Sequence, residues 1–211
     1  MKQPAIHPIL QASALCFSYS NCTLFTDLSI AILPGVTLVR GGDGRGKSTL
    51  LKVMAGVLPA QSGRLHIDGI DLHAQTEKYK AQVLWIDSRS AAFDQLTVRD
   101  YLELQSKSHA NFDDAMLADL TFGLGLQDHL HKQLFMLSTG SKRKVFLTAA
   151  FASSALITLL DEPFAALDAI SIEFIVAWLQ GAQDKLQRAW VIADYVAPVG
   201  LQLSQVIDLG D

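Results

Sequence analysis

Val39-Arg40-Gly41-Gly42-Asp43-Gly44-Arg45-Gly46-Lys47-Ser48-Thr49 is the stretch from which the rest of this chain is read. From Gly41 to Ser48 it carries the spacing GxxxxGK[ST], after a short apolar run and before a helical pattern, which marks a phosphate-binding P-loop. Glycines at 41, 44 and 46 let the backbone follow a tight path that turns several N–H groups toward one anion, where a Cβ would obstruct. A helix opening at Lys47 adds its N-terminal partial positive charge at the same point. Lys47 brings a full charge to the β- and γ-phosphates, and the Ser48 hydroxyl is placed to ligate Mg²⁺. Asp43 and Arg45 are unusual inside such a loop, and their side chains are expected to turn to solvent.

Around the loop the composition is that of a globular chain. With 211 residues, half of them hydrophobic, it can bury a full core as one compact unit. A net charge of −4 and no basic run longer than Lys142-Arg143-Lys144 exclude the basic face that nucleic acid requires. That triplet reads as a solvated helix face. Cys16 and Cys22 form no CxxC, which suggests neither a zinc site nor a disulfide framework and fits a reducing compartment. The apolar stretch from Ala149 to Leu160 is shorter than the roughly 20 residues a bilayer span needs. The N-terminus makes a poor signal peptide, so a cytoplasmic location is expected.

Upstream of the loop, Ala14 to Phe17, Leu24-Phe25, Leu28 to Ile30 and Val36 to Val39 are apolar runs separated by Ser20-Asn21 and Pro34-Gly35, the pattern of strands and hairpins. Downstream, Leu50, Leu51, Val53, Met54 and Val57 have helical spacing, ended by Gly56 and Pro59. Gly63 to Gly69 suggests a short strand and a turn, and Val83 to Ile86 a buried strand. From Thr97 the segments become helix-length, Val98 to Lys107 and Asp113 to Leu120, with breaks at Gly123 and Gly125. Strands return at Leu156 to Leu160, Trp190 to Ala193 and Val206 to Leu209. Between the first two of these, Ile170, Phe174, Ala177 and Trp178 mark an amphipathic helix that Asp168 can cap. Trp85, Trp178 and Trp190 read as core. Strands alternating with helices around a P-loop imply an α/β fold with a mainly parallel sheet and the ligand at the carboxyl ends of its strands.

Asp161-Glu162-Pro163 follows the buried strand at Leu156 to Leu160. An acidic residue at such a strand end beside a P-loop holds Mg²⁺, and a second carboxylate next to it can polarise an attacking water. Asp161 takes the first role and Glu162 the second. Upstream, Leu137-Ser138-Thr139-Gly140-Ser141 opens a helix containing Val145, Phe146 and Ala149. Here the sequence resembles the ATP-binding cassette (ABC) family, whose signature LSGGQ lies between the P-loop and the acidic strand end. Ser138 and Gly140 match it, and Thr139 and Ser141 depart from it. Ala166-Leu167-Asp168 resembles the family's D-loop, and Tyr19 lies where an aromatic residue stacks on adenine. Among the family's members the chain looks most like the short ATP-binding subunits of haem exporters of cytochrome c biogenesis, on Glu77-Lys78-Tyr79, Val83 to Ile86 and Asp161 to Ala166.

The resemblance implies a P-loop NTPase with a RecA-like core, an antiparallel β part and an inserted helical subdomain at about 97–153. It also implies ATP and Mg²⁺ as ligands, a transmembrane permease subunit as partner, and a position on the inner face of the cell membrane. The nucleotide would be sandwiched in a head-to-tail dimer, either a homodimer or a heterodimer with another cassette subunit. One chain's P-loop would then face Ser138, Gly140 and Asp168 of the other. Two family positions are altered: Arg89 stands at the Q-loop glutamine and Asp194 at the switch histidine. Arg89 would pair with phosphate but cannot ligate metal, and a carboxylate at 194 lacks a proton to donate near pH 7. Two functions are therefore expected as alternatives, a transport-coupled ATPase, slow if these changes matter, or a regulatory or assembly subunit with little turnover.

Overall fold

The computed structural model describes residues 7–87, 90–109, 111–183 and 187–210. Its strands form two sheets. In the antiparallel one, β1 (Leu10–Tyr19) pairs with β2 (Cys22–Ile32) across a turn at Ser20-Asn21, and on its other side with β4 (Ser62–Ile67), which in turn pairs with β5 (Ile70–Asp71). The other sheet is parallel, with β6 (Val83–Ile86), β7 (Ile157–Asp161), β8 (Ala189–Ala193), β3 (Gly35–Arg40) and β9 (Gln205–Asp208) side by side in that order. β7 and β8 are buried along their whole length, as strands covered on both faces must be.

Side chains alternate across a strand, and here the alternation divides the interior into two cores. Val36, Leu38, Leu160, Trp190 and Ile192 point to a face covered by α5 (Thr139–Ala152) and α6 (Ala169–Gln183). Val39, Ile157, Leu159, Val191 and Ala193 point to the opposite face, under α1 (Lys47–Met54) and the antiparallel sheet. The helices α3 (Val98–Ser108) and α4 (Asp114–Gly123) pack against α5 and extend the first core through Tyr101, Leu102 and Leu120. Both begin on side-chain caps: Thr97 accepts from the Asp100 N–H at 3.1 Å and Asp113 from the Met116 N–H at 2.9 Å. Such caps satisfy N–H groups that a first helical turn leaves without partners. No helix among the described residues is long and apolar enough to cross a membrane.

The expected strands and helices are present, and short elements go beyond them, among them β5 and α2 (Thr76–Lys80). The buried stripe of α6 differs from expectation. Ser171, Ile175, Val176 and Leu179 face inward, while Ile170 is 77% exposed and Ala177 is exposed. The segment is apolar at 170, 172, 174, 175 and 176, so periodicity is satisfied by more than one rotation of the helix, and packing selects among them. Val57, expected on the buried face of α1, lies beyond its end and is exposed.

Candidate functional site

The parallel register builds the site. Val39, Ala193 and Asp161 stand in one row across β3, β8 and β7. One residue further the row continues in backbone hydrogen bonds: Asp194 N–H donates to the Val39 carbonyl at 3.1 Å, and Glu162 N–H to the Ala193 carbonyl at 2.9 Å. Because β8 lies between the other two strands, Asp194 is held between the P-loop and the Asp161-Glu162 pair. Glu162 then takes a left-handed backbone, φ 46°, which bends the chain away from the strand direction. The P-loop, Asp161, Glu162 and Asp194 therefore lie together at the carboxyl ends of the parallel strands.

The loop itself has the geometry its glycines permit. Gly44 and Gly46 have φ of 75° and 91°, a region that disfavours any residue with a Cβ. At Gly46 a Cβ would also meet the Phe25 ring at 3.0 Å. Gly46 caps α1 with no side-chain hydrogen bond, which leaves the helix N-terminus open to an anion. Lys47 is 8% exposed, and its ammonium donates to the carbonyls of Gly41 at 2.6 Å and Gly42 at 3.1 Å. The start of the loop is braced from the C-terminal side, where Gly42 N–H donates to the Gly210 carbonyl at 3.0 Å and Arg40 pairs with Asp208 at 2.7 Å. Tyr19, at the end of β1, is half exposed, and its hydroxyl lies 3.3 Å from the Thr49 Oγ1. An uncapped helix N-terminus, a loop bent through left-handed glycines and a buried ammonium beside it fit a nucleotide's phosphate chain, and a hydroxyl and carboxylates nearby fit its Mg²⁺.

One neighbour of this loop escaped sequence reasoning. The Tyr195 ring centroid lies 4.1 Å from Lys47 Nζ, and its hydroxyl donates to the Asp43 carboxylate. Asp43 and Arg45 are both exposed, as expected, and Asp43 in addition accepts the Tyr195 hydrogen bond. The hydrogen bond to Asp43 raises the Tyr195 pKa, with the nearby carboxylates adding to it. Asp194 is raised as well, first by burial, then by Glu162 and Asp161, against the opposing Tyr195 N–H and Lys47. The only sequence signal for Tyr195 is its place directly after Asp194. Arg89 lies outside the described residues.

Ser138, Gly140 and Asp168 form a separate group. The Ser138 hydroxyl oxygen caps α5, accepting from the Ser141 N–H at 3.1 Å. Gly140 lies against the Ala166 carbonyl so closely that a Cβ would overlap it. Asp168 caps α6 through the Ser171 N–H at 2.8 Å and pairs with Lys144 at 2.7 Å. The Lys144 and Ser171 hydrogen bonds hold its carboxyl well below the usual carboxylate range. The basic triplet is not the solvated face expected of it. Lys142 pairs with Asp94 and donates to the Ser90 carbonyl at 2.9 Å, while Arg143 is 6% exposed and donates to the Ala165 carbonyl. A charge run is solvated only when its partners are elsewhere, and here 90–94 and 165–168 supply carbonyls and carboxylates on both sides of the helix.

A parallel strand running into a P-loop, with a carboxylate pair at the end of the next strand but one, defines a P-loop nucleotide hydrolase fold. Comparison with known proteins narrows this. The family model described as ABC transporter matches residues 25–165, and the chain belongs to that family, as an ATP-binding subunit. It is 32% identical over 171 residues to the cytochrome c biogenesis ATP-binding export protein CcmA of Idiomarina loihiensis, covering 80% of this chain and 77% of that one. It is 30% identical over 166 residues to ATP-binding cassette sub-family A member 17 of Rattus norvegicus, covering 76% of this chain but only 9% of that far longer protein. Among solved structures, one described as the ATP-binding subunit of an ABC transporter superposes with a TM-score of 0.80 at 22% identity, over 89% of this chain and 80% of that one.

Proposed function

We propose that this chain binds MgATP at Gly41–Thr49 and hydrolyses it to drive a transmembrane permease subunit from the inner face of the cell membrane. The observation that carries this reading is the row at the ends of β3, β8 and β7, which sets Lys47, Asp194, Asp161 and Glu162 around one point. In it the loop N–H groups and Lys47 hold the phosphates, and Tyr19 lies against the adenine. Ser48 and Asp161 hold Mg²⁺, which when bound neutralises charge on the phosphate oxygens. Glu162 orients a water and accepts its proton, and Arg89 faces the transferred phosphoryl group. Ser138, Gly140 and Asp168 serve the nucleotide of a second subunit, with 97–153 as the helical subdomain. Similarity to the cytochrome c biogenesis export protein CcmA favours export linked to cytochrome c biogenesis as the process driven.

Turnover is slow in this reading, because Asp194 stands where a neutral hydrogen-bond donor would favour the transition state. Loss of one such preorganised group lowers a rate by about 10²–10³. Steady-state phosphate release is the test. Wild type should release phosphate above a Lys47→Ala control, and Asp194→His should raise the rate at unchanged ATP affinity. Wild-type release equal to that control overturns the ATPase. An unchanged rate in Asp194→His removes only the explanation for slowness. In size-exclusion chromatography with MgATP, Glu162→Gln should accumulate as a dimer, and a protein that stays monomeric at high concentration speaks against the homodimer.

A further inference from the structure

An ammonium group has three N–H donors and no acceptor. At Lys47 two directions are taken by the carbonyls of Gly41 and Gly42. A third side is covered by the Tyr195 ring at 4.1 Å, well within the roughly 6 Å over which a ring face attracts a cation. The charge that would meet a nucleotide's phosphates is thus already surrounded by groups of its own chain. Tyr195 is in addition tied through its hydroxyl to Asp43, in the loop between Gly42 and the left-handed Gly44.

Resting on the assignment of Gly41–Thr49 to MgATP, we propose that Tyr195 competes with the nucleotide's terminal phosphates for Lys47, and that binding requires its ring to swing off the P-loop. The side chain is free to do so. It is 52% exposed, while the main chain beneath it is anchored by Asp194 N–H on Val39 and by Tyr195 N–H on the Asp194 carboxylate at 2.8 Å. Rotation about χ1 therefore moves the ring without moving the strand end. Tyr195 also stands between two cavities. One, of about 260 Å³, is bounded by Arg40, Gly42 and Asp208, and the other, of about 510 Å³, by Glu162, Ala197 and Val199. The second is mostly apolar and offers the displaced ring a seat beside Glu162. Occupancy of the P-loop is in this way tied to the strand end that carries Asp194.

A site that binds only when a side chain has moved away shows an affinity reduced by the closed fraction. Removing the ring should therefore strengthen binding. In stopped-flow measurements with a fluorescent ATP analogue and Mg²⁺, Tyr195→Ala should bind about three- to tenfold tighter than wild type, through a faster association rate. Tyr195→Phe keeps the ring and loses the tether to Asp43, so its gain should be smaller, about twofold. An unchanged unfolding midpoint for both variants checks that a half-exposed side chain was altered without harm to the fold. Equal or weaker binding by Tyr195→Ala, in a protein whose wild type binds MgATP in a Lys47-dependent way, overturns the competition and leaves the nucleotide site standing. Wild type without Lys47-dependent binding overturns both.

Discussion

The row at the ends of β3, β8 and β7 and the seam between α5 and residues 165–168 each join segments far apart in the chain, but different forces hold them. The row is set by backbone ladders: once three strands pair in parallel, Val39, Ala193 and Asp161 are level, and the residues after them follow. The seam is set by side chains. Arg143 reaches the Ala165 carbonyl, Lys144 reaches Asp168, and Gly140 lets the helix approach Ala166. Backbone register tolerates a change of side chain, whereas a seam of side chains does not. Substitutions in the row should accordingly alter chemistry and spare stability, whereas substitution of Arg143, a seam residue with no part in the proposed nucleotide contacts, should do the reverse.

The largest effect is expected in the row. Glu162→Gln removes a proton acceptor while keeping shape, and should lower the rate of phosphate release by about 10²–10⁴ with an unchanged unfolding midpoint in calorimetry. A loss of stability in step with activity would break the contrast. In the seam, Arg143→Ala deletes a buried stem and the donor to Ala165, and should reduce the free energy of unfolding by about 1.5–3 kcal/mol in denaturant titrations. If that variant is as stable as wild type, the seam is held by the surrounding core and not by this contact.

The smallest effect sharpens the picture through pH. Asn at 168 can still cap α6, so Asp168→Asn removes only the charge that faces Lys144. The folded carboxyl is depressed by Lys144 and Ser171. Its contribution is therefore fully present above the unfolded value of about 3.9 and is lost as pH falls toward the lower folded value. Asp168 is more than half exposed, and the pair should be worth under about 1 kcal/mol at neutral pH. The stability gap between wild type and Asp168→Asn should close as pH drops below about 4. A gap that persists in acid would mean that Asn caps α6 less well than Asp, and that the ion pair contributes little.

Sequence patterns that act locally were legible. The glycine spacing of 41–48 encodes a backbone path, the apolar run before Asp161 encodes a buried strand, and Asp168 announces a helix start because a cap needs only neighbours within one turn. The rotation of α6 was not legible, since its excess of apolar residues satisfies more than one face.

By itself the sequence determined the P-loop, the acidic strand end, the alternation of strands and helices, and the family they resemble, because each depends on spacing along a few residues. The tertiary structure alone decided that β8 runs between β3 and β7. From that order follow the neighbours of Asp194, the Tyr195 ring over Lys47, and a hydrogen bond to Asp43 spanning 152 positions. It likewise decided that the triplet Lys142-Arg143-Lys144 is held by partners and not by water. Strand order and the facing of two distant side chains arise from global packing, which no local period along the chain records.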